Sequence, residues 1–227
     1  MEPDPSSGPV LGNVSDSRAV GVYGDQVLPR LMDKVMDNND IRALRRQSLD
    51  GISGVVLEIG FGSGLNVPLY PPEVTKVYAV DPATVGRKLA AERIDQSNID
   101  VEFIGLDGED IPLADESVDN AVSSFTLCTI PDEGRALREV HRVLKPSGLL
   151  HFVEHGLSPD DNVNKWQHRI QPFSSRIFGG CQLTRAHDQA LLAAGFTIER
   201  LDREYGKGPK PFVFHYIGTA RKAAVIL

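Results

Sequence analysis

The sequence predicts an α/β fold, a doubly wound parallel sheet closed by a C-terminal antiparallel hairpin. Three observations carry this expectation. Short runs that are apolar on both faces, "GVVLEIG", "KVYAVD", "VEFIG", "NAVSSF" and "LLHFVEH", read as buried parallel strands. Helical stretches fall between them, and that alternation implies βαβ units. After Gly195 the rhythm breaks: "TIERLDREYG" and "FVFHYIGTAR" are joined only by "KGPKP". That link is too short for a helix, so the two strands must pair antiparallel.

The elements follow in order. "MEPDPSSGPVLGNVSDS" is acidic and rich in Pro, Ser and Gly, so residues 1–20 read as a flexible tail and not as a signal peptide. The length of the remainder, 21–227, suits one domain. Val27, Leu28, Leu31, Met32, Val35 and Met36 share one helical stripe, with Pro29 in the first turn, which predicts an N-terminal helix over about 25–48. A half carrying the five parallel strands follows, about 52–156. Its clearest helix is "PDEGRALREVHRVLKPSG", apolar at Ala136, Leu137, Val140, Val143 and Leu144, capped by Asp132 and ended by Pro146 and Gly148; His141 falls on its outer face. Residues 157–183 form an insert after the fifth strand. The helix in "TRAHDQALLAAGF" closes on Gly195, with Thr184 as its expected cap.

Bulk properties exclude several function classes. The chain has 227 residues and a net charge of −7, with no Lys/Arg run longer than two. A phosphate backbone is held by clustered positive charge, so a nucleic-acid partner is not expected. The two cysteines, Cys128 and Cys181, make no disulfide framework and show no Cys/His ligand spacing, so no metal is expected. Such usage suits a reduced, cytoplasmic protein. No apolar stretch has the length to span a bilayer.

The stretch "VVLEIGFGSGLN" concentrates the chemistry. Gly60, Gly62 and Gly64 alternate where the first strand ends, although each glycine costs backbone entropy. Ligands of open α/β sheets bind at the carboxyl ends of the strands. A dinucleotide site takes G-x-G-x-x-G, and here Leu65 stands where the third glycine belongs. The pattern is G-x-G-x-G preceded by Glu58. Its backbone N–H groups suit a carboxylate and Glu58 suits a cationic or donor group, which together describe an amino acid joined to a nucleoside. A tight strand–helix turn explains the glycines equally well. Asp81 ends the second strand, where an acid accepts ribose hydroxyls in dehydrogenases too. Asp107 and Gly108 leave the third strand, where a carboxylate and an N–H suit adenine. Three acids at the ends of three successive strands favour a nucleoside ligand.

These residues resemble the class I S-adenosylmethionine-dependent methyltransferases, in particular the type 11 group. The resemblance runs through "VLEIGFGSG", "YAVDP", "GLDGEDIPLADESVDNAVSSFTL", "ALREVHRVLKPSGLL" and "AAGF". It covers about 54–154 closely and extends through the hairpin to about 220. It implies a Rossmann-like, seven-stranded methyltransferase sheet with S-adenosyl-L-methionine as cofactor. Glu58, Gly60, Phe61, Gly62 and Gly64 would hold the methionine end, Asp81 with Pro82 the ribose, and Asp107, Gly108 and Glu109 the adenine. Ser124 and Phe125 would flank the sulfonium. Tyr23 and the first helix would close over the cofactor as a lid.

A narrower resemblance lies in "LLHFVEHG…WQHRIQPFSSRIFGGCQLTR", similar to the methyltransferase-like proteins that include the animal alkyl-thiol methyltransferases. Animal members carry a hydrophobic N-terminal anchor that is not seen here, and Gly179 stands where those members often have an acid. His155, at the end of the fifth strand, is the candidate general base; a histidine bonded to a loop is the alternative. Glu154, beside it, points to the other face. Trp166 and Phe173 would wall the acceptor pocket, with Cys181 and Arg185 lining it. No D/N-P-P-Y/F follows the fourth strand, where "SSFTLCTI" stands, and "VEHG" lacks the aspartate–asparagine pair of the magnesium-dependent type. The expected activity is methyl transfer to a small lipophilic acceptor, a thiol ahead of an N-heterocycle, phenol, amine or quinone, by a monomer or homodimer. The alternatives are an NAD(P)-dependent oxidoreductase and a non-catalytic S-adenosylmethionine-binding protein.

Overall fold

The computed structural model describes residues 27–223, so the tail and Tyr23 lie outside the described residues. Two helices, α1 (Leu28–Met36) and α2 (Asn39–Ser48), stand where one was expected. The break falls at Asp37, with ψ 65°, and at Asn38, whose extended backbone lets its side chain accept from the Ile41 N–H at 3.0 Å. An N-cap of this kind starts a new helix.

The sheet then builds through β1 (Gly54–Ile59), β2 (Val74–Val80), α3 (Thr84–Asp95), β3 (Asp100–Gly105), β4 (Val118–Ser124), α4 (Glu133–Val143) and β5 (Leu144–His155). Helix α5 (Asp161–Ile177), helix α6 (His187–Ala193) and strands β6 (Phe196–Tyr205) and β7 (Phe214–Lys222) complete it. Seven strands run in the order β3-β2-β1-β4-β5-β7-β6. Strands β1 to β5 are parallel, and β7 pairs antiparallel with both β5 and β6. The hairpin therefore inserts one antiparallel strand, as its short link requires.

Side-chain alternation splits the core between the two faces. Leu57, Ala121, Leu150 and Phe152 pack with Leu137 and Val140 of α4, whereas Val56, Val77, Ala79 and Val122 pack with Phe61 and Ala90 of α3. Helix α4 is capped by Asp132, which accepts from the Arg135 N–H at 2.9 Å. It stops at Val143; Leu144 already belongs to β5, and Pro146 and Gly148 lie in an irregular start to that strand rather than in the helix. His141 is not solvated surface. Its ring meets Phe196 edge-on at 5.2 Å, and burial lowers its pKa. Helix α6 starts at His187 after Ala186 with no side-chain cap, so Thr184 does not serve as one.

Two close approaches explain the glycine-rich turn. Gly60 has φ +72°, and a Cβ there would run into the Thr126 side chain. A Cβ on Gly86, in the first turn of α3, would lie 2.7 Å from the Gly62 carbonyl. The turns after β1 and β4 and the start of α3 can close on one another only without these side chains.

Two buried groups then fix the strand ends. Glu154 is wholly buried; its Oε1 accepts from Ser123 Oγ at 2.6 Å and from the N–H groups of Thr126 and Leu127 at 3.0 Å, and its Oε2 accepts from the Cys128 N–H at 3.2 Å. The side chain thus ties β5 to the turn that follows β4. His187, also wholly buried, faces acceptors at both ring nitrogens: the Glu133 carboxylate at Nδ1 and the His155 carbonyl, 2.7 Å away, at Nε2. Only the imidazolium donates twice. Burial alone would lower its pKa, but the hydrogen bond and charge of Glu133 reverse this and hold it above the usual value.

Two expectations follow from these groups. Glu154→Gln keeps the volume, turns one acceptor into a donor facing a backbone N–H, and removes the charge from the other bonds; the loss should be about 2–4 kcal/mol, read as a lower urea midpoint. An unchanged midpoint would show that the turn does not depend on the carboxylate. His187 has a folded pKa raised above an unfolded value of about 6.5, so its stabilisation is full below that pH and is lost as pH rises through the folded value. Urea midpoints measured across neutral and alkaline pH should therefore fall in the parent, and His187→Gln should flatten that fall.

Candidate active site

The order of the strands reverses between β1 and β4, and such a point opens a crevice at the carboxyl ends. There the structure holds a cavity of about 1110 Å³. A site for one ligand usually measures roughly 300–1,000 Å³, so this one has room for a nucleoside-sized cofactor and a second molecule.

One half is built by the turns after β1, β2 and β3. Gly60, Phe61 and Gly62 form its floor, with Asp81 and Pro82 on one side and Asp107 and Gly108 on the other. Asp81 accepts from the N–H groups of Gly62 and Ala83, each at 2.7 Å, and so locks two turns together. Its burial raises the carboxyl pKa, and the two N–H groups pull the other way without cancelling the rise. A carboxylate has about four lone-pair positions, so Asp81 keeps acceptor capacity for a diol. Asp107 accepts from the Glu109 N–H at 2.8 Å.

Three expected members of this half do not reach the cavity. Glu58 is buried behind it, with Oε1 taking the Asn66 amide at 2.7 Å and Oε2 the Tyr70 hydroxyl at 2.6 Å. Burial pushes its carboxyl up to about 7 against the pull of those hydrogen bonds and of Arg45. It orients Asn66, which also accepts from Arg45 at 2.9 Å and donates to Ser124 Oγ at 3.1 Å. Gly64 turns the chain beneath the floor, where a Cβ would press on Ala90 and Phe61. Glu109 instead accepts from the Asp132 N–H, bracing the start of α4.

The other half sits beyond β4 and β5. Ser124 and Phe125 line it, Phe125 with a left-handed φ of +58° that few non-glycine residues adopt. The Phe125 ring lies 4.8 Å from the His155 ring and 5.8 Å from that of His215, and the Arg45 guanidinium stands 5.3 Å from its centre. His155 and His215 are 5.1 Å apart, and burial together with His155 pushes His215 down to about 3. Beside them Cys128 and Cys181, both free and buried, bring their sulfurs to 3.6 Å. A hydrogen bond from Cys128, joined by one from His155, holds the Cys181 thiol down to about 5 against its burial, while Cys128 is pushed up. This half can take a proton at an imidazole and offers mostly apolar walls, including Phe178, Leu183 and Phe212.

The expected acceptor wall needs correction. Trp166 and Phe173 are 55% and 70% exposed on α5 and do not line the cavity, because that helix turns Val163, Gln167 and Ser174 inward. Arg185 does not line it either. It donates to the carbonyls of Leu127, Ile130 and Pro131, and so clamps the turn after β4 from outside. The sequence reading passed over Asn66, Tyr70, Arg45, Cys128 and His215. Asn66 and Cys128 stood inside or beside the motifs that matched; His215 arrives from the distant hairpin with no local signal.

Comparison with known proteins gives the family. The methyltransferase-domain family matches residues 57–152. The thiol S-methyltransferase TMT1B of Rattus norvegicus is 36% identical over 187 residues, 78% of this chain and 75% of its own. The thiol S-methyltransferase TMT1A of Homo sapiens is 36% identical over 161 residues, 68% of this chain and 66% of its own. Among solved structures, a SAM-dependent methyltransferase from Methanosarcina mazei superimposes with a TM-score of 0.58 at 21% identity, covering 74% of this chain and 92% of that one. The chain is thus an S-adenosylmethionine-dependent methyltransferase and belongs to the methyltransferase-domain family that includes the thiol S-methyltransferases.

Proposed function

We propose that the chain methylates the sulfur of a small lipophilic thiol, with His155 as general base. The observation that carries this reading is the placing of His155 against Phe125, at the apolar end of a cavity whose other end would take a nucleoside. The thiol in the printed names of the relatives supports the choice of sulfur.

The residues present fit S-adenosylmethionine. The backbone of Gly60 to Gly62 would meet the methionine carboxylate, and Asp81 the ribose diol. Asp107 and Gly108 would meet adenine, with Ser124 and Phe125 beside the sulfonium. When bound, the cofactor supplies an activated methyl, whose bond to the sulfonium breaks as the bond to the acceptor sulfur forms, leaving S-adenosylhomocysteine. The apolar walls exclude water, which strengthens attraction between opposite charges that vanish together in transfer. His155 takes the thiol proton and returns it to solvent. Alignment of two bound molecules in one cavity supplies the remaining advantage.

The cofactor half would correspond to about 52–156 and the acceptor side to the segment from 157 to 183 with the hairpin, within a single domain spanning 21–227. No described helix is long and apolar enough to cross a membrane. The buried free thiols support placement in a reducing compartment such as the cytoplasm.

The test is methyl transfer, read by mass spectrometry, over a panel of alkyl thiols, phenols, N-heterocycles, amines and quinols. Thiols should gain one methyl. Methylation of another class alone would overturn the sulfur assignment. A general base contributes roughly 10²–10⁴-fold, so His155→Ala should lower kcat about 100-fold with little change in S-adenosylhomocysteine affinity. Asp81→Ala should do the opposite first, weakening that affinity by about tenfold or more, on the order of 1.4 kcal/mol, as measured by calorimetry.

A further inference from the structure

We propose that Cys128, Cys181 and His155 together bind a thiophilic divalent cation of the zinc class, leaving an open fourth position that takes the acceptor thiol as its thiolate. The second half of this proposal rests on the thiol reading above; the first does not.

The three residues come from separate elements. Cys128 lies in the turn after β4, His155 at the end of β5, and Cys181 in the loop after α5. One ligand atom from each falls within 4.8 Å of the other two. The sulfurs are 3.6 Å apart. In a tetrahedral zinc site with Zn–S distances of about 2.3 Å, two sulfurs sit about 3.8 Å from each other. The thiol pair therefore has nearly the spacing that such a cation would impose. Two cysteines and one histidine also form a known catalytic zinc set, in which the fourth position stays open for water or substrate.

The ligands are held from behind. The Cys128 N–H donates to Glu154 and its carbonyl accepts from the Gln182 N–H at 2.7 Å. The Cys181 carbonyl accepts from the Gln171 side chain at 3.1 Å, and the His155 carbonyl from His187. Each backbone is fixed while each side chain faces the same space. All three line the cavity, so the open position points to where the acceptor must lie, next to Phe125. Packing alone gives no reason for two thiols and an imidazole to converge on a cavity wall.

The protons and electrons balance without an oxidant. Both cysteines ligate as thiolates, and binding of the cation displaces to solvent whatever proton the pair still holds. The acceptor thiol then coordinates as a thiolate, its proton leaving through the cavity mouth, because a coordinated thiol is deprotonated. Its sulfur lone pair forms the new bond to the methyl carbon as the sulfonium bond breaks. The thioether product carries no charge and is a weaker ligand, so it leaves. In the loaded protein His155 holds the cation, and the cation's effect on the thiol replaces proton removal by the imidazole.

The experiment uses reduced, chelator-stripped protein titrated with Cd²⁺. A thiolate-to-cadmium charge-transfer band should appear and saturate at one equivalent per chain. Cys128→Ser and Cys181→Ser should each weaken binding at least tenfold, and His155→Gln should weaken it while keeping the band. Retained melting transitions and S-adenosylhomocysteine binding would show that the variants fold. With Co²⁺ in place, an alkyl thiol added beside S-adenosylhomocysteine should change the visible absorption of the metal. Absence of the band at one equivalent, or an unchanged band in both serine variants, would overturn the site. Undiminished thiol methylation by the metal-free protein would overturn the role of the cation and leave the thiol reading standing. A saturable cadmium site without thiol methylation would keep the site and overturn its substrate.

Discussion

The buried carboxylate of Glu154 is the constraint on which the turn after β4, and with it one end of the cavity, depends. Four donors converge on it, three of them backbone N–H groups of consecutive residues in the turn after β4. A neutral side chain could not satisfy so many donors at once. Burying a charge is costly unless it is paired and hydrogen-bonded, and Arg45, itself buried, faces both Glu154 and Glu58. Because this turn is pinned, Phe125 can be held in the left-handed region and Cys128 brought to Cys181. His155 follows Glu154 in the same strand and so faces the opposite way, toward the cavity.

Much of the fold is legible because parallel strands declare themselves. Four of the five, β3 excepted, carry a mostly buried run, and the two-strand finish follows from a link too short for a helix. The exact bounds are less legible. The α1–α2 break needs Asn38 to act as a cap, and an apolar stripe that runs through 36 does not reveal it. At α4, Leu144 fits the helical stripe equally well as the first residue of a strand, since both settings bury it.

The candidate site divides along similar lines. Gly60, Phe61, Gly62, Asp81, Pro82, Asp107 and Gly108 line the cavity because they sit in the turns at the strand ends, where local backbone geometry places them. Glu58 looks like a ligand group from its place at a strand end, yet period two turns it inward, where Asn66 and Tyr70 absorb its charge. The aromatic residues of α5 misled for a different reason. Its buried positions include Gln167, which donates to the Gly156 carbonyl, and Ser174, which bonds back to Gln171 of its own helix, while Trp166 and Phe173 are exposed. Hydrophobicity therefore does not mark the inner face. Cys128, Cys181 and His215 come from distant segments, and only tertiary structure brings them together.

The position of β7 sets the order in which the molecule can be completed as it is made. A ribosome releases β6 before β7, yet the sole neighbour of β6 in the sheet is β7. Until β7 emerges, β6 has no partner and the outer edge of β5 is left as a row of open backbone groups, the kind of edge that other chains can join. Insertion of one late strand closes both gaps at once and delivers His215 to the cavity. The turns after β1, β2 and β3 can thus form on the nascent chain before the hairpin completes the cavity. A chain in which β7 has not yet paired with β5 therefore lacks the part of the cavity wall that His215 supplies.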